Sequence, residues 1–332
     1  MKRLGMLVGV FALILGVGVG ARGQEYSLKV STVVRAPHPW ISSAQYIQKT
    51  LEQKSGGKIK VTIFDSGKLG SDEVALTNLR EGSVDLYIGG TANAATYIPE
   101  FSFFNMSFLY KNENQFEAAI KAGGPLDKRF QDIVRERKVD MEYLAMAGGG
   151  LRNMSNRLRP VKSIADVRGM KMRVPGGPVA AKVWEAFGTL PVSLAWTELY
   201  TALQTGVADA AESTMPGYKG SKLYEVAKYL AKTEHEFMVS VFLMADKTAK
   251  KLPPDLLELV RKTVQEAALI CTREGVDQTR DILAEMAKRG IVITEVDKSE
   301  FLSRSIPVQN EEAAKLKLTD ALADIRKLGA SY

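Results

Sequence analysis

The sequence predicts an α/β protein of two lobes with a cleft between them, and three observations carry that expectation. Strand-like apolar runs alternate with segments of helical period through the first two thirds of the chain, as in βαβ units with parallel sheet. Gly148-Gly149-Gly150 then interrupts the pattern after a strand, a place where glycine serves a hinge or an ordinary turn equally well. Finally, a long helical stretch runs from Pro254 to about Arg289. The 332 residues suffice for two lobes of ordinary domain size.

The elements follow in order. Leu28 to Val34 is rich in β-formers and ends at Pro37-His38-Pro39, where a helix can begin. Ile41, Ala44, Ile47 and Leu51 recur at helical spacing until Ser55-Gly56-Gly57 stops them. Ile59 to Phe64 is a second strand. Ser71, with Asp72 and Glu73 in the first turn, caps a helix to Arg80, and Leu86 to Ile88 is a third strand closed by Gly89-Gly90-Thr91. That closure places a flexible backbone and a hydroxyl at the C-terminal edge of a strand, where ligands bind in open α/β sheets. Beyond Met141 to Met146, Lys171 to Val174 is a strand ended by Pro175-Gly176-Gly177-Pro178. Val179 to Phe187 and Thr197 to Thr205 are helical, and Leu190 to Val192 is extended. Phe237 to Met244 reads as a buried strand that returns the chain to the first lobe, and Gln309 to Leu328 as a last helix.

The start of the chain sets the compartment. Lys2 and Arg3 precede an uncharged run from Leu4 to Gly20, and Ala21-Arg22-Gly23 places small residues around a cut before Gln24. This is the order of a cleaved secretory signal peptide over residues 1–23, and export to the periplasm is expected. The run is near the short limit for a membrane anchor and rich in glycine. The chain carries 45 basic and 38 acidic side chains, a formal +7, and the leader takes three bases and no acid, leaving +4. Those charges are interspersed, unlike the clustered basic footprint of a nucleic-acid binder. The lone Cys271 can form no internal disulfide and reads as a small buried apolar residue.

Catalytic groups are scarce. His38 and His235 are the two histidines, far apart and in no metal-ligand spacing. There is no nucleophile elbow, P-loop or Gly-x-Gly-x-x-Gly turn, so no catalytic residue, metal or cofactor is implied. The arginines say more. Arg173 lies inside the apolar strand Met172-Arg173-Val174, where its charge needs an anion, either a ligand carboxylate or an internal acid. Arg152 follows the glycines and is either a second cation in the same cleft or a solvated loop charge.

The run Gly150-Leu151-Arg152, followed by Ser163-Ile164-Ala165-Asp166-Val167-Arg168-Gly169-Met170-Lys171-Met172-Arg173-Val174-Pro175, resembles the solute-binding subunits of TRAP transporters of the dicarboxylate-binding (DctP) type. Trp196-Thr197-Glu198-Leu199-Tyr200-Thr201-Ala202-Leu203-Gln204-Thr205-Gly206-Val207-Ala208-Asp209 is similar to the same family, as are Lys68-Leu69-Gly70 and Leu79-Arg80-Glu81-Gly82-Ser83-Val84-Asp85. The resemblance implies a two-lobe periplasmic binding protein fold with a hinge, in which the long helix braces both lobes. It implies lobes of residues 24–149 plus about 238–288 and of residues 150–237 plus about 289–332. It also implies a small organic acid as ligand, TRAP permease membrane subunits as partners, no nucleic acid, and a monomer.

By position, the resemblance makes Arg173 the clamp on the ligand carboxylate, Arg152 a second arginine at the ligand, and Trp196 an aromatic against its carbon skeleton. His38 and Thr91 are first-lobe candidates, with Asn93 and Tyr97 weaker ones. Where the family commonly reads Asp-Gly-Gln-Glu-Asn-Pro, this chain has Asp209-Ala210-Ala211-Glu212-Ser213-Thr214, so Glu212 and the shorter Ser213 stand at the ligand-contacting positions. A sugar acid such as a uronate or aldonate is favoured, because His38, Thr91 and Ser213 suit hydroxyls. A C4-dicarboxylate is expected instead if Arg152 clamps a second acid; a keto or aromatic acid, or a sensor role on the same cleft, are further readings.

Overall fold

The computed structural model describes residues 25–329, so the leader expected over residues 1–23 lies outside the described residues. The chain runs β1 (Tyr26–Ser31), α1 (Pro39–Lys54), β2 (Ile59–Phe64), α2 (Asp72–Glu81), β3 (Leu86–Gly90), α3 (Thr91–Ala94), α4 (Glu113–Ile120), α5 (Pro125–Arg137) and β4 (Met141–Asn156). It continues as β5 (Lys171–Val174), α6 (Pro178–Ala186), β6 (Leu190–Ser193), α7 (Leu199–Thr205), β7 (Ala210–Thr214), α8 (Met215–Gly220), β8 (Tyr229–Ala245) and α9 (Asp246–Lys251). Then come α10 (Pro254–Lys288), β9 (Val292–Glu295), α11 (Ser299–Lys315) and α12 (Thr319–Leu328); a 3-10 segment, Pro99–Asn105, separates α3 from α4. Among the described residues no helix is long and apolar enough to cross a membrane.

The strands form a single sheet in the order β2-β1-β3-β8-β4-β7-β5-β6, with β9 also beside β8. Two lobes arise from it because β4 and β8, of 16 and 17 residues, pair antiparallel along their length and belong to both. The C-terminal half of β8 pairs with β3, and β3 leads to the parallel β1 and β2. The other half pairs with β9, while the far half of β4 pairs with β7, which leads to the parallel β5 and β6.

The strand expected to stop at Met146 therefore runs on through the three glycines to Asn156. The ladder slips in register between Gly148 and Leu151, a bulge at the crossing between lobes. Here glycine is required by contact as well as by conformation. Gly150 has φ +101, and a Cβ on it would come within 2.5 Å of the Gly275 carbonyl of α10. A Cβ on Gly275 would in turn lie 2.7 Å from Gly149, so the long helix can press directly on the crossing strand.

That helix spans both lobes. Ser43 Oγ of α1 donates to the Ala267 carbonyl at 3.0 Å and the Tyr46 hydroxyl to Glu266 at 2.6 Å, whereas Lys219 of α8 pairs with Glu285 at 2.5 Å. Cys271, on its buried face, donates Sγ–H to the Gly148 carbonyl at 3.2 Å, and burial pushes its thiol up to about 12. Apolar residues of α1, β1 and α10, among them Val30, Ile47, Leu51 and Val264, close one core. Phe101, Phe104 and Phe130 anchor a second on the opposite face.

The end of the chain departs from expectation twice. The last helix breaks at Lys317, in left-handed conformation, into α11 and α12. Residues 289–332 were expected in the second lobe, and α11 does pack on α6 there, through Lys182 and Glu312. α12 instead returns to α4 and α5, where Gln115 Nε2 donates 2.5 Å to the Ile325 carbonyl and Arg129 pairs with Asp320. Leu322 and Ile325 find an apolar partner surface there, in the same core as Phe116 and Phe130.

Candidate functional site

The sheet geometry gathers side chains from distant segments at one cavity between the lobes. His38, Thr91, Asn93, Arg152, Arg173, Trp196 and Ser213, each a candidate from the sequence, all line it. Most lie at or just beyond C-terminal strand ends, the position at which open α/β sheets expose backbone and polar side chains. Tyr97 does not line it; its hydroxyl bonds Thr77 at 2.8 Å and its ring lies under Arg80. Glu212, expected at the ligand, is not among the lining residues. One of its oxygens is 2.5 Å from His235 Nε2 and the other 3.5 Å from Arg152 Nη2, so the carboxylate is held behind the cavity wall.

The two arginines differ in kind. Arg173 is 2% exposed, and its Nε and Nη2 both donate to the Leu194 carbonyl, at 2.9 and 2.7 Å. Among the described residues no carboxylate lies within ion-pair distance of it. Its guanidinium faces the Trp196 ring at 5.6 Å. Burial and the neighbouring Arg152 lower its pKa to about 10, which leaves it charged at neutral pH. Arg152, by contrast, is already engaged. Glu212 lies 3.5 Å from its Nη2 and Glu236 3.9 Å from its Nε, and Nη2 also donates to the Glu212 carbonyl. Burial works against its charge, but the two acids outweigh burial and hold its pKa above the ordinary value.

The acids divide accordingly. Burial opposes the charge of Glu212, yet Arg152 and His235 prevail and bring it down to about 2. Burial pushes Glu236 up to about 8, with the Glu212 charge adding to it against the pull of Arg152 and the Asn105 amide. Asp72 accepts the Tyr87 hydroxyl at 2.7 Å, and burial raises it to about 6. Burial, followed by the Arg152 charge, lowers His38 to about 3, so its ring is neutral. His38 Nδ1 accepts from the Trp40 amide at 3.3 Å, which assigns the ring proton to Nε2. His38 is thus a donor, Thr91 donates to the Val239 carbonyl at 3.2 Å, and the buried Ser213 hydroxyl has no hydrogen-bond partner among the described residues.

The cavity is also lined by polar residues that the sequence did not single out, among them Asp72, Asn105 and Glu236. In sequence Asp72 is a first-turn helix acid and no more, Asn105 lies within an aromatic segment, and Glu236 borders the apolar run that begins at Phe237. An acid next to a buried strand was the available signal for Glu236. At the mouth the lobes meet: Gly176 N donates to Asn93 Oδ1 at 3.4 Å, and Gly177 packs so closely on Ala92 that a Cβ would lie 2.9 Å from its carbonyl.

A buried, unpaired guanidinium in a cleft between α/β lobes agrees with the family relationship. Residues 30–316 match the model of the DctP family, bacterial extracellular solute-binding protein, family 7. This chain belongs to that family. It is 30% identical to an uncharacterised protein of Sinorhizobium fredii over 82% of this chain and 49% of that protein, so it spans about half the length of that relative. Two solved structures of the DctP fold resemble it over nearly its whole length. One is a sugar acid binding protein of Advenella mimigardefordensis in complex with galactonate, with TM-score 0.87, 25% identity and coverage of 92% of this chain and 99% of that one. The other is a TRAP periplasmic solute binding protein of Pseudomonas putida with bound D-glucuronate, with TM-score 0.85, 26% identity and coverage of 90% and 96%.

Proposed function

We propose that this protein captures a monocarboxylic sugar acid of the aldonate or uronate type in the periplasm and delivers it to a TRAP-type membrane permease. The observation that carries this reading is the contrast between the arginines. Arg173 is a buried cation with only a carbonyl for partner, and an unpaired buried charge is costly. Its fork suits one carboxylate. Arg152 is neutralised by Glu212, with Glu236 on its other side, which removes the second cation a C4-dicarboxylate would need. The His38 donor, the unpartnered Ser213 hydroxyl and the Asp72 carboxyl suit ligand hydroxyls, while Trp196 offers an apolar face to the carbon chain. Solved relatives that hold galactonate and D-glucuronate support the same class.

In this reading binding involves no chemical step. The carboxylate docks on Arg173 of the second lobe, and closure brings His38 and Thr91 of the first onto the hydroxyls. Residues 24–149 with about 238–288 and α12 move as one body against residues 150–237 with α11, bending where β4 and β8 cross. Expulsion of water strengthens the ion pair, and the closed form is what the permease recognises. Calorimetric titration of the mature chain with aldonates, uronates, C4-dicarboxylates and aromatic acids tests the reading: micromolar or tighter binding of a sugar acid is expected. Binding confined to dicarboxylates would overturn it.

A further inference from the structure

We infer that Glu236 is a specificity-determining residue: it takes a ligand hydroxyl beside Arg152 and Asn105 and excludes a second carboxylate there. The inference rests on the sugar-acid reading of the cavity and goes further by naming the chemistry that meets the ligand beyond its carboxylate. Glu236 is a lining residue, although the strand that carries it is otherwise apolar from Phe237 onward. One of its oxygens accepts from Asn105 Nδ2 at 3.3 Å and lies 3.9 Å from Arg152 Nε. Its other oxygen has no protein donor among the described residues.

The neighbouring polar atoms define what fits. Arg152 Nε is a buried donor without a hydrogen-bond partner, and Asn105 Oδ1 a buried acceptor without one. A group placed among them must both donate, to a carboxyl or amide oxygen, and accept, from the guanidinium. A hydroxyl does both, whereas a carboxylate only accepts and an ammonium only donates. Charge leads to the same choice. Glu212 and one ligand carboxylate balance Arg152 and Arg173, so a second ligand carboxylate would find no cation, with Asp72 adding negative charge and Glu236, raised to about 8, supplying no charge to pair with it. Placing like charges together in a desolvated site is a standard means of rejecting wrong partners.

The test compares matched acids that differ at one end: galactonate and gluconate against galactarate and glucarate, which carry a second carboxylate in place of the terminal hydroxyl. Titration calorimetry on the wild-type protein should show the aldonate bound at least about tenfold more tightly than its aldarate. In Glu236→Gln, with a melting temperature close to that of wild type, the aldonate should weaken and the ratio should shrink at least about fivefold. An unchanged ratio in the variant, or equal binding of the two acids by wild type, would overturn the inference while aldonate binding leaves the sugar-acid reading standing. If no sugar acid binds wild type, both fall together. The wild-type comparison decides by itself should the variant not fold.

Discussion

Arg152 and Glu236 face each other across the β4–β8 ladder, at the point where both strands pass from one lobe to the other, with Nε 3.9 Å from Oε1. Glu212 approaches the same guanidinium from β7. The crossing between lobes therefore contains a buried cation between two buried acids, directly beside the ligand cavity. Removing the cation leaves the charged Glu212 buried beside one partner fewer, which costs about 3–5 kcal/mol. Arg152→Gln should lower the unfolding free energy by about that amount at neutral pH, as read by denaturant titration. A loss below about 1 kcal/mol would mean that the arginine is screened by solvent.

Arg173 should behave in the opposite way. It has no acidic partner within ion-pair distance among the described residues, so Arg173→Lys should change stability little and remove the two-pronged carboxylate contact. Losing one side of a buried charged hydrogen-bond pair costs about 2–5 kcal/mol, at least about thirtyfold in affinity. Titration calorimetry checks the affinity and a thermal melt the fold. Retention of wild-type affinity would assign Arg173 to the architecture alone.

Gly177 offers a test of closure. Its φ of −79 and ψ of 141 are open to any residue, so Gly177→Ala carries no backbone strain. The added methyl meets first the backbone of Ala92 in the other lobe, with the carbonyl oxygen at 2.9 Å. The variant should melt like wild type without ligand and bind sugar acid about tenfold more weakly, a difference of about 1.4 kcal/mol. Small-angle scattering at ligand saturation should show a more extended particle than wild type. Equal dimensions and affinity would mean that the lobes do not close through this contact.

The titrating groups pull in opposite directions. His38 is lowered to about 3 by burial and by Arg152, so the stability tied to its neutral ring is complete above its unfolded pKa of 6.5 and is lost as pH falls towards 3. Glu236, raised to about 8, favours the folded state below its unfolded value of 4.5 and loses that contribution as pH rises through 8. The stability advantage of wild type over His38→Gln should therefore shrink by roughly 2 kcal/mol between pH 6.5 and 4.5. A pH-independent difference, measured by denaturant titration, would show that the ring does not charge on unfolding.

Much of the fold is legible because it is local. The helix stop at Ser55-Gly56-Gly57, the Ser71 cap on α2 and the extent of α10 each depend on a few adjacent residues. The failures come where pairing overrides propensity. Residues Tyr229–Glu236 carry several charged side chains, yet they form a strand because β4 and β9 supply partners on both sides. β4 passes through three glycines for the same reason, and the break between α11 and α12 appears once α12 has a surface on α4 and α5.

The sequence by itself determined the alternation of strands and helices and the presence of a cation inside an apolar strand, Arg173, because both are properties of neighbours along the chain. Only the tertiary structure decided which charges remain unpaired. Arg152 and Glu236 are far apart in sequence and become opposites through strand register, and Glu212 turns from a ligand candidate into a support held by His235 and Arg152. Electrostatic compensation depends on distance in space and on burial, neither of which residue spacing encodes, so the charge distribution around the cavity follows only from the folded arrangement.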